Sequence, residues 1–488
     1  MSFLKRYSGA AYFFLFAAVF LTYAPILHDP LIRDDYWLLG QVKDIGILEL
    51  WRLAYAQIIF FRPLGEFFYW LEWRFFGASV LFSHIFSLFL QGLDASLLFW
   101  FLGQLGMKKL SAYFAALLFA LAPVDVEAVT WSAVRFDLAA LFLMILSLGL
   151  YFIFLKRGGA VSYTGSLAAA LAAMLTKEPA VMLVGLIPLM EIVYRKDPAV
   201  DTRAYDRAGF RRAAARRWLP LGGVFLVYMS GRLAVLHGMG GAAPVIGAPS
   251  ARAAFFSAVA FIFPFSWLRV SPAVIPFTAA LAAALILIML LMVRVIRRPY
   301  LPANRRAAIF FGLFFVLSLA PIFPFVFIIG ITQGLANSRY LFIPELAFVT
   351  MIVAALFDLG AGKRKLRHVL TFLLACIMLF DVVAIQKNNQ PWQAADAVSG
   401  SILSQTKKLV PDPAPGAVFF YRDMPVMSGY SVFDQVTLPP AIAITYRRTD
   451  IRAFVAGDSI NQDLLRKAYQ FGYDRKKGVL RLLANPGS

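Results

Sequence analysis

Cysteine is almost absent: one thiol, Cys376, stands in an apolar run of a 488-residue chain. That excludes an intramolecular disulfide, a CxxC redox pair and a thiolate zinc site, and it argues against a catalytic thiol. Histidine is scarce as well, with 4 residues, and the acids number only 27. Charged residues make up 15% of the chain, against roughly 25% in a soluble domain. Hydrophobic residues reach 60% and the mean hydropathy is +0.72, so neither a soluble enzyme nor a disordered chain fits. Against the 27 acids stand 47 Lys and Arg, a net charge of +20. On a soluble protein that excess would suggest nucleic acid. On an apolar chain it marks cytoplasmic loops, and no nucleic-acid partner is expected. Neither a nucleotide phosphate loop nor a 20–50-residue repeat is visible.

A membrane-crossing helix needs roughly 20 mostly apolar residues, and about eleven such segments can be drawn. They cover residues 10–27, 81–105, 110–122, 136–155, 161–175, 180–194, 219–236, 273–293, 307–327, 340–357 and 369–385. Residues 255–268, interrupted by Pro264 and followed by Pro272, read as a re-entrant or interfacial segment. With this map Lys108-Lys109, Lys156-Arg157 and the basic runs at 195–217, 294–306 and 363–367 all fall on the side of the N-terminus. Positive-inside topology then puts the N-terminus in the cytoplasm and the C-terminus outside. Residues 387–488 are more polar and read as a helix (392–409), strands near 417–421 and 479–483, and a helix near 461–469. The expected fold is an all-α polytopic membrane protein of about eleven helices with a small C-terminal extracytoplasmic α/β domain. Its division is residues 1–386 in the membrane, with a first outer loop at 28–79, and 387–488 outside.

Because acids are few, their placement is informative. The first outer loop carries Asp34-Asp35-Tyr36, Arg62-Pro63-Leu64 and an amphipathic aromatic run from Glu66 to Phe76, which suits horizontal helices at headgroup level. Adjacent carboxylates can take a proton from a hydroxyl or bind a divalent cation, or simply cap a helix. The second outer loop sets Asp125, Glu127, Arg135 and Asp137 in an otherwise apolar stretch. If that stretch is helical, Glu127, Trp131 and Arg135 follow one another at four-residue steps. The third holds Lys177-Glu178, read as a turn-stabilising ion pair or a phosphate contact, and a later one ends in Ser338-Arg339-Tyr340. Arg232 and His237 adjoin the same side. His84, alone among apolar residues, reads as packed and hydrogen-bonded rather than as a metal ligand.

In this order the motifs resemble those of GT-C glycosyltransferases, above all the bacterial relatives of the transmembrane-and-tetratricopeptide O-mannosyltransferases. Asp34-Asp35 resembles the family's first-loop acidic pair, and Arg62-Pro63-Leu64 its Arg-Pro-Leu element. The segment Pro123 to Leu138 is similar to its His-Pro-x-x-x-Glu-Ala-Val…Arg-x-Asp-Leu motif. Thr176-Lys177-Glu178 resembles Ser/Thr-Lys-Glu, and Ser338 to Pro344 resembles Glu-Arg-Tyr-Leu-Tyr-x-Pro. Ala122, Gln91 and Ser338 stand where the family has His, His and Glu, and no tetratricopeptide array follows.

The resemblance implies inverting sugar transfer from a polyprenyl-phosphate donor to a glycan, lipid or protein hydroxyl at the outer face of a bacterial cytoplasmic membrane. Asp34 or Asp35 would be the general base, and Arg339, Lys177 and Arg62 would hold the donor phosphate. Tyr36, Glu127, Arg135, Asp137, Glu178 and Tyr340 would shape the pocket. A divalent cation, Mg or Mn, at Asp34 and Asp35 is left open. The competing functions are a secondary transporter or lipid-glycan flippase, an oligosaccharide ligase or polymerase, and a non-enzymatic assembly factor. A transporter calls for paired broken helices with charges at the bilayer midplane, whereas most of the charged groups here sit at span ends.

Overall fold

The computed structural model describes residues 8–52, 60–195, 197, 200, 207–238, 257, 302–323, 331, 335–427 and 430–486. Helix α1 (Ser8–Tyr23) is apolar throughout and passes into a 3-10 turn, Ala24–His28, at Pro25, whose missing N–H ends the α ladder. Two short helices, α2 (Asp34–Val42) and α3 (Pro63–Phe76), fill the first loop, as the amphipathic pattern requires. The bundle continues with α4 (Val80–Gln104), α5 (Lys109–Ala120), the short α6 (Val126–Thr130), α7 (Arg135–Arg157) and α8 (Ala160–Thr176). Then come α9 (Leu183–Tyr194), α10 (Arg207–Leu236), α11 (Ala303–Leu319), α12 (Phe342–Leu359) and α13 (Arg364–Leu409).

Seven described helical stretches are long and apolar enough to cross a membrane: Gly9–His28, Val80–Gln104, Lys109–Thr130, Ser132–Arg157, Ala214–Leu236, Ser338–Leu359 and Arg364–Leu409. Each coincides with an expected span, and the chain is a multi-pass membrane protein. Large apolar side chains such as Leu21, Leu226, Phe372 and Leu379 remain exposed along them, which suits contact with lipid. Three further expected spans are shorter. α8 and α11 have 17 residues and α9 has 12, or roughly 18–26 Å at 1.5 Å per residue, less than a ~30 Å hydrocarbon core. The expected span at 273–293 and most of the expected re-entrant segment lie outside the described residues.

The largest correction concerns α13. A span at 369–385 and a separate helix at 392–409 are one helix of 46 residues, with Pro391 inside it, roughly 69 Å long. The polar run Gln386 to Gln390 looks like a break in the sequence, but its side chains find partners on the bundle. The Gln386 amide donates to the Thr22 carbonyl, and Asn388 Nδ2 donates to the Pro123 carbonyl at 3.1 Å. Thr130 Oγ1 donates to Asn389 Oδ1 at 2.6 Å, and Trp392 stacks on Trp131 with ring centroids 5.6 Å apart. Residue 386 therefore lies within a helix rather than in a linker.

Beyond α13 a four-stranded sheet forms from β1 (Val418–Tyr421), β4 (Arg452–Val455), β5 (Ala468–Asp474) and β6 (Val479–Ala484), in the order β4-β1-β5-β6. β1 runs parallel to β4 and β5, while β5 and β6 are antiparallel. A small hairpin, β2 (Val426–Met427) with β3 (Tyr430–Ser431), and helices α14 (Leu438–Tyr446) and α15 (Gln462–Arg466) complete it. Phe419 is fully buried against Tyr446, Tyr469 and Phe471. The helix expected at 461–469 stops at Arg466, because the alternating aromatics Tyr469, Phe471 and Tyr473 enter β5 instead. The sheet is tied to α13 through Tyr446, whose hydroxyl donates to the Val410 carbonyl at 2.7 Å and lies 3.2 Å from the Thr406 carbonyl oxygen.

One end of the bundle is stapled by buried ion pairs. Arg305 on α11 donates to Asp358 on α12 through Nε (3.1 Å) and Nη2 (2.7 Å), with both residues 3% exposed. Arg217 on α10 pairs with Glu191 on α9, whose other oxygen accepts from Tyr151 on α7 at 2.6 Å. Asp358→Ala, which leaves the Arg305 guanidinium buried without that carboxylate, is expected to cost about 3–5 kcal/mol. Thermal unfolding of the detergent-solubilised protein measures it, and an unchanged midpoint counts against the staple.

Candidate active site

At the other end, α2 and α3 face the start of α7 and the loop before α14. Asp34 and Asp35 form the first turn of α2. The residue before them, Arg33, has φ 43° and ψ −114°, a conformation that costs a non-glycine residue about 1–3 kcal/mol. The turn is closed by the Asp35 amide donating to the Ile32 carbonyl (2.9 Å) and the Ile32 amide donating to Asp35 Oδ2 (2.9 Å).

The two aspartates are thereby separated. Asp35 is 3% exposed, and its Oδ1 is buried without a hydrogen-bond partner. Burial, reinforced by the neighbouring Asp34 charge, pushes its carboxyl up to about 8, and the Ile32 amide and Arg135 only partly offset this. Asp34 instead lines a cleft of about 280 Å³, together with Arg62 just before α3, Glu66 from α3, Phe136 from α7 and Asp434 from the loop before α14. Burial raises its pKa, Arg33 and Arg339 pull it back, and Asp434 adds to the rise. Asp34 accepts no hydrogen bond among the described residues, so its oxygens are open to the cleft.

The cations expected to hold phosphate are present around the same end, and each is paired with a carboxylate. Arg62 makes a two-pronged contact with Glu178, from Nε (3.0 and 3.1 Å) and Nη2 (2.8 Å). Arg232 Nη1 also reaches Glu178, at 3.4 Å. Burial alone would raise the Glu178 pKa, but Arg62 outweighs it and holds the carboxyl below its ordinary value. Lys177 pairs with Asp137, and burial is the main cause of its lowered pKa. Arg339 pairs with Glu127, which also accepts from the Arg339 backbone N–H at 3.0 Å. The guanidinium lies over Trp131 (5.1 Å) and Tyr340 (4.8 Å).

Two expected local arrangements are overturned. Lys177 and Glu178 do not pair with each other, because Lys177 turns to α7 and Glu178 to Arg62. Glu127, Trp131 and Arg135 do not share a helix face, because α6 ends at Thr130 and Trp131 is extended (φ −84°, ψ 110°). Arg135 pairs instead with Glu72 on α3 and donates to Ser83, to the carbonyl at 2.9 Å and Oγ at 2.8 Å. Of the expected site residues, Asp34 and Arg62 line the cleft. Lys177, Glu178, Asp137, Glu127, Arg339 and Tyr340 form the charged layer around it. Tyr36 is buried against Phe433, with ring centroids 6.0 Å apart. His84 is packed as expected, with Nε2 2.9 Å from the Asp29 carbonyl oxygen.

The sequence missed Glu66, Glu72, Phe136 and, above all, Asp434 and Thr437. The only local signal for the last two is a turn-forming Asp-Gln-Val-Thr ahead of Pro439-Pro440.

A glycine sets the distance between α3 and its neighbours. A Cβ at Gly65 would stand 2.1 Å from the Phe136 ring and 3.1 Å from the Thr176 carbonyl oxygen. The residue after Arg62-Pro63-Leu64 thus lets α3 approach α7 and the Lys177 turn. One Asp35 oxygen is taken by the Ile32 amide and the carboxyl is held largely neutral. No group of three or more His, Cys, Asp or Glu among the described residues is placed to hold a metal.

No family model and no curated protein matches the chain. Among solved structures it is similar to ArnT from Cupriavidus metallidurans bound to undecaprenyl phosphate, with 12% identity, a TM-score of 0.46 and coverage of 91% of this chain and 86% of that one. It is also similar to the oligosaccharyltransferase AglB from Archaeoglobus fulgidus in complex with an inhibitory peptide and a dolichol-phosphate, with 13% identity and a TM-score of 0.46. That match covers 93% of this chain and 65% of the AglB chain.

Proposed function

We propose that the chain is a membrane glycosyltransferase of the GT-C type. It transfers a sugar from a polyprenyl-phosphate donor to an acceptor hydroxyl at the outer face of a bacterial cytoplasmic membrane, with Asp34 as general base. The observation that carries this reading is the cleft itself. Asp34, a carboxylate that accepts no hydrogen bond among the described residues, lines it together with Arg62, with Lys177 and Arg339 in the charged layer around it. The ordered motifs around Asp34, Arg62, Glu127, Lys177 and Arg339 support the same assignment. Residues 1–386 form the catalytic membrane part, and 387–488 the extracytoplasmic part that covers it.

The chemistry follows from these groups. Asp34 takes the proton of the acceptor hydroxyl as its oxygen attacks the anomeric carbon from the face opposite the phosphate. The bond from that carbon to the phosphate oxygen breaks, and polyprenyl phosphate leaves with the electron pair. Inversion follows from the single displacement. Arg62 serves as the phosphate contact because Nε and Nη2 are spent on Glu178 while Nη1 donates to no carboxylate among the described residues. Arg339 and Lys177 add positive potential where charge develops on the leaving oxygen. A raised Asp34 pKa makes the carboxylate a stronger base.

Purified protein in liposomes, given a panel of polyprenyl-phosphate sugars and candidate hydroxyl acceptors, is expected to release polyprenyl phosphate in an acceptor-dependent way. Movement of an intact lipid-linked glycan across the bilayer without release would instead support a flippase.

A further inference from the structure

We propose that Asp434 is a positioning residue for Asp34, acting through Arg33, so that the C-terminal segment sets the geometry of the base. The proposal rests on the reading of Asp34 as that base. Arg33 holds a strained backbone directly before Asp34, so the direction of the Asp34 side chain depends on what holds residue 33 in place. Its side chain is held from outside the loop: Nη2 donates to Asp434 Oδ2 at 3.1 Å.

Asp434 is itself locked. Its Oδ1 accepts from the amides of Val436 (3.0 Å) and Thr437 (2.9 Å) and from Thr437 Oγ1 (2.9 Å). Its own amide donates to Thr437 Oγ1 at 3.0 Å. This turn leads into α14, which is pressed onto α2. A Cβ at Gly40 would lie 2.6 Å from Pro440 Cβ, so the two helices approach more closely than a larger residue would allow. The strained residue, the carboxylate that holds it and the helix that follows that carboxylate form one continuous chain of contacts ending at Asp34. Asp434, Val436 and Thr437 also line the cleft, so the segment that orients the base is a wall of the same space. The cations assigned to the donor phosphate come from other elements, so a fault at Asp434 reaches the base and leaves donor binding intact.

The test is steady-state transfer by the full chain in liposomes. Asp434→Asn is expected to lower kcat by about 10- to 100-fold, the size of a small misplacement of a reacting group, with the KM for donor unchanged. Arg33→Gln, which removes the same ion pair from the other side and leaves the Asp434 turn in place, is expected to lower kcat to a similar extent, and the double variant Arg33→Gln with Asp434→Asn to lose little more than either single change. Wild-type kcat in Asp434→Asn overturns the proposal, as does a rise in donor KM with kcat unchanged. If Asp434→Asn melts early, Arg33→Gln decides: wild-type kcat there, in a protein of normal melting temperature, also overturns it. Asp34→Asn run in parallel separates the two readings. Loss of transfer there with a neutral Asp434→Asn removes only the positioning role, whereas full activity in Asp34→Asn removes the base assignment itself.

Discussion

Asp34→Asn is expected to lower the turnover of sugar transfer by about 10²- to 10⁴-fold, the range a positioned general base contributes, while Asp35→Asn retains most of it. The asymmetry follows from the first turn of α2. Asp34 opens into the cleft and accepts no hydrogen bond among the described residues. Asp35 is buried, is held by the Ile32 amide, and has a pKa of about 8, so at neutral pH it is mostly the uncharged acid, which asparagine mimics in size and charge. The pH profile has a defined sign. The active form of Asp34 is the carboxylate, so activity falls as pH drops through its pKa. Burial raises that pKa, so the acid limb should lie above the ordinary carboxylate range and should vanish in Asp34→Asn. Equal losses in the two variants, or a profile that keeps its acid limb without Asp34, would refute the assignment.

Arg135→Ala should be strongly damaging to folding. Arg135 and Glu72 are both buried and join the first-loop helix α3 to the head of α7. The guanidinium lies 4.8 Å from the Tyr69 ring centroid and 5.0 Å from that of Phe86. Removing the arginine strands the Glu72 carboxylate in an apolar setting, at a cost of about 3–5 kcal/mol, comparable with the whole stability of many proteins. Replacing both residues with apolar ones of similar volume should restore much of the loss, because the stranded charge disappears with its partner. Detergent-extracted yield and melting temperature across the four-member cycle measure this. Additive losses in the double variant would mean the pair does not act as a unit.

The membrane helices were legible because apolar length is a local property, readable without knowing what each helix touches. The groups of the candidate site could be singled out for a related reason: in a chain so poor in acids, Asp34, Glu127, Asp137 and Glu178 had few competitors. Their partners were not legible. Glu72 meets Arg135 and Arg33 meets Asp434 across sequence separations of 63 and 401 residues, and no periodicity links such positions. Local rules also misassigned two arrangements: the extended Trp131 breaks the helical spacing of Glu127, Trp131 and Arg135, and Lys177 and Glu178 turn away from each other to Asp137 and Arg62. The continuity of α13 was hidden for the opposite reason. Its polar stretch looked like a loop until Asn388, Asn389 and Trp392 found the bundle.

That single helix has a consequence for how the chain can change. A flexible tether tolerates added or lost residues, since only its reach matters. A helix transmits phase. One residue inserted between Trp392 and Thr406 would turn everything beyond it by about 100° and advance it by about 1.5 Å. Trp392 is fixed on Trp131, Ser399 donates to the Leu31 carbonyl at 3.0 Å, and Thr406 meets the Tyr421 hydroxyl at 2.9 Å, so these contacts could not all survive that rotation. The distance from membrane to sheet is therefore counted in whole residues, and the outer part can be substituted far more freely than it can be lengthened.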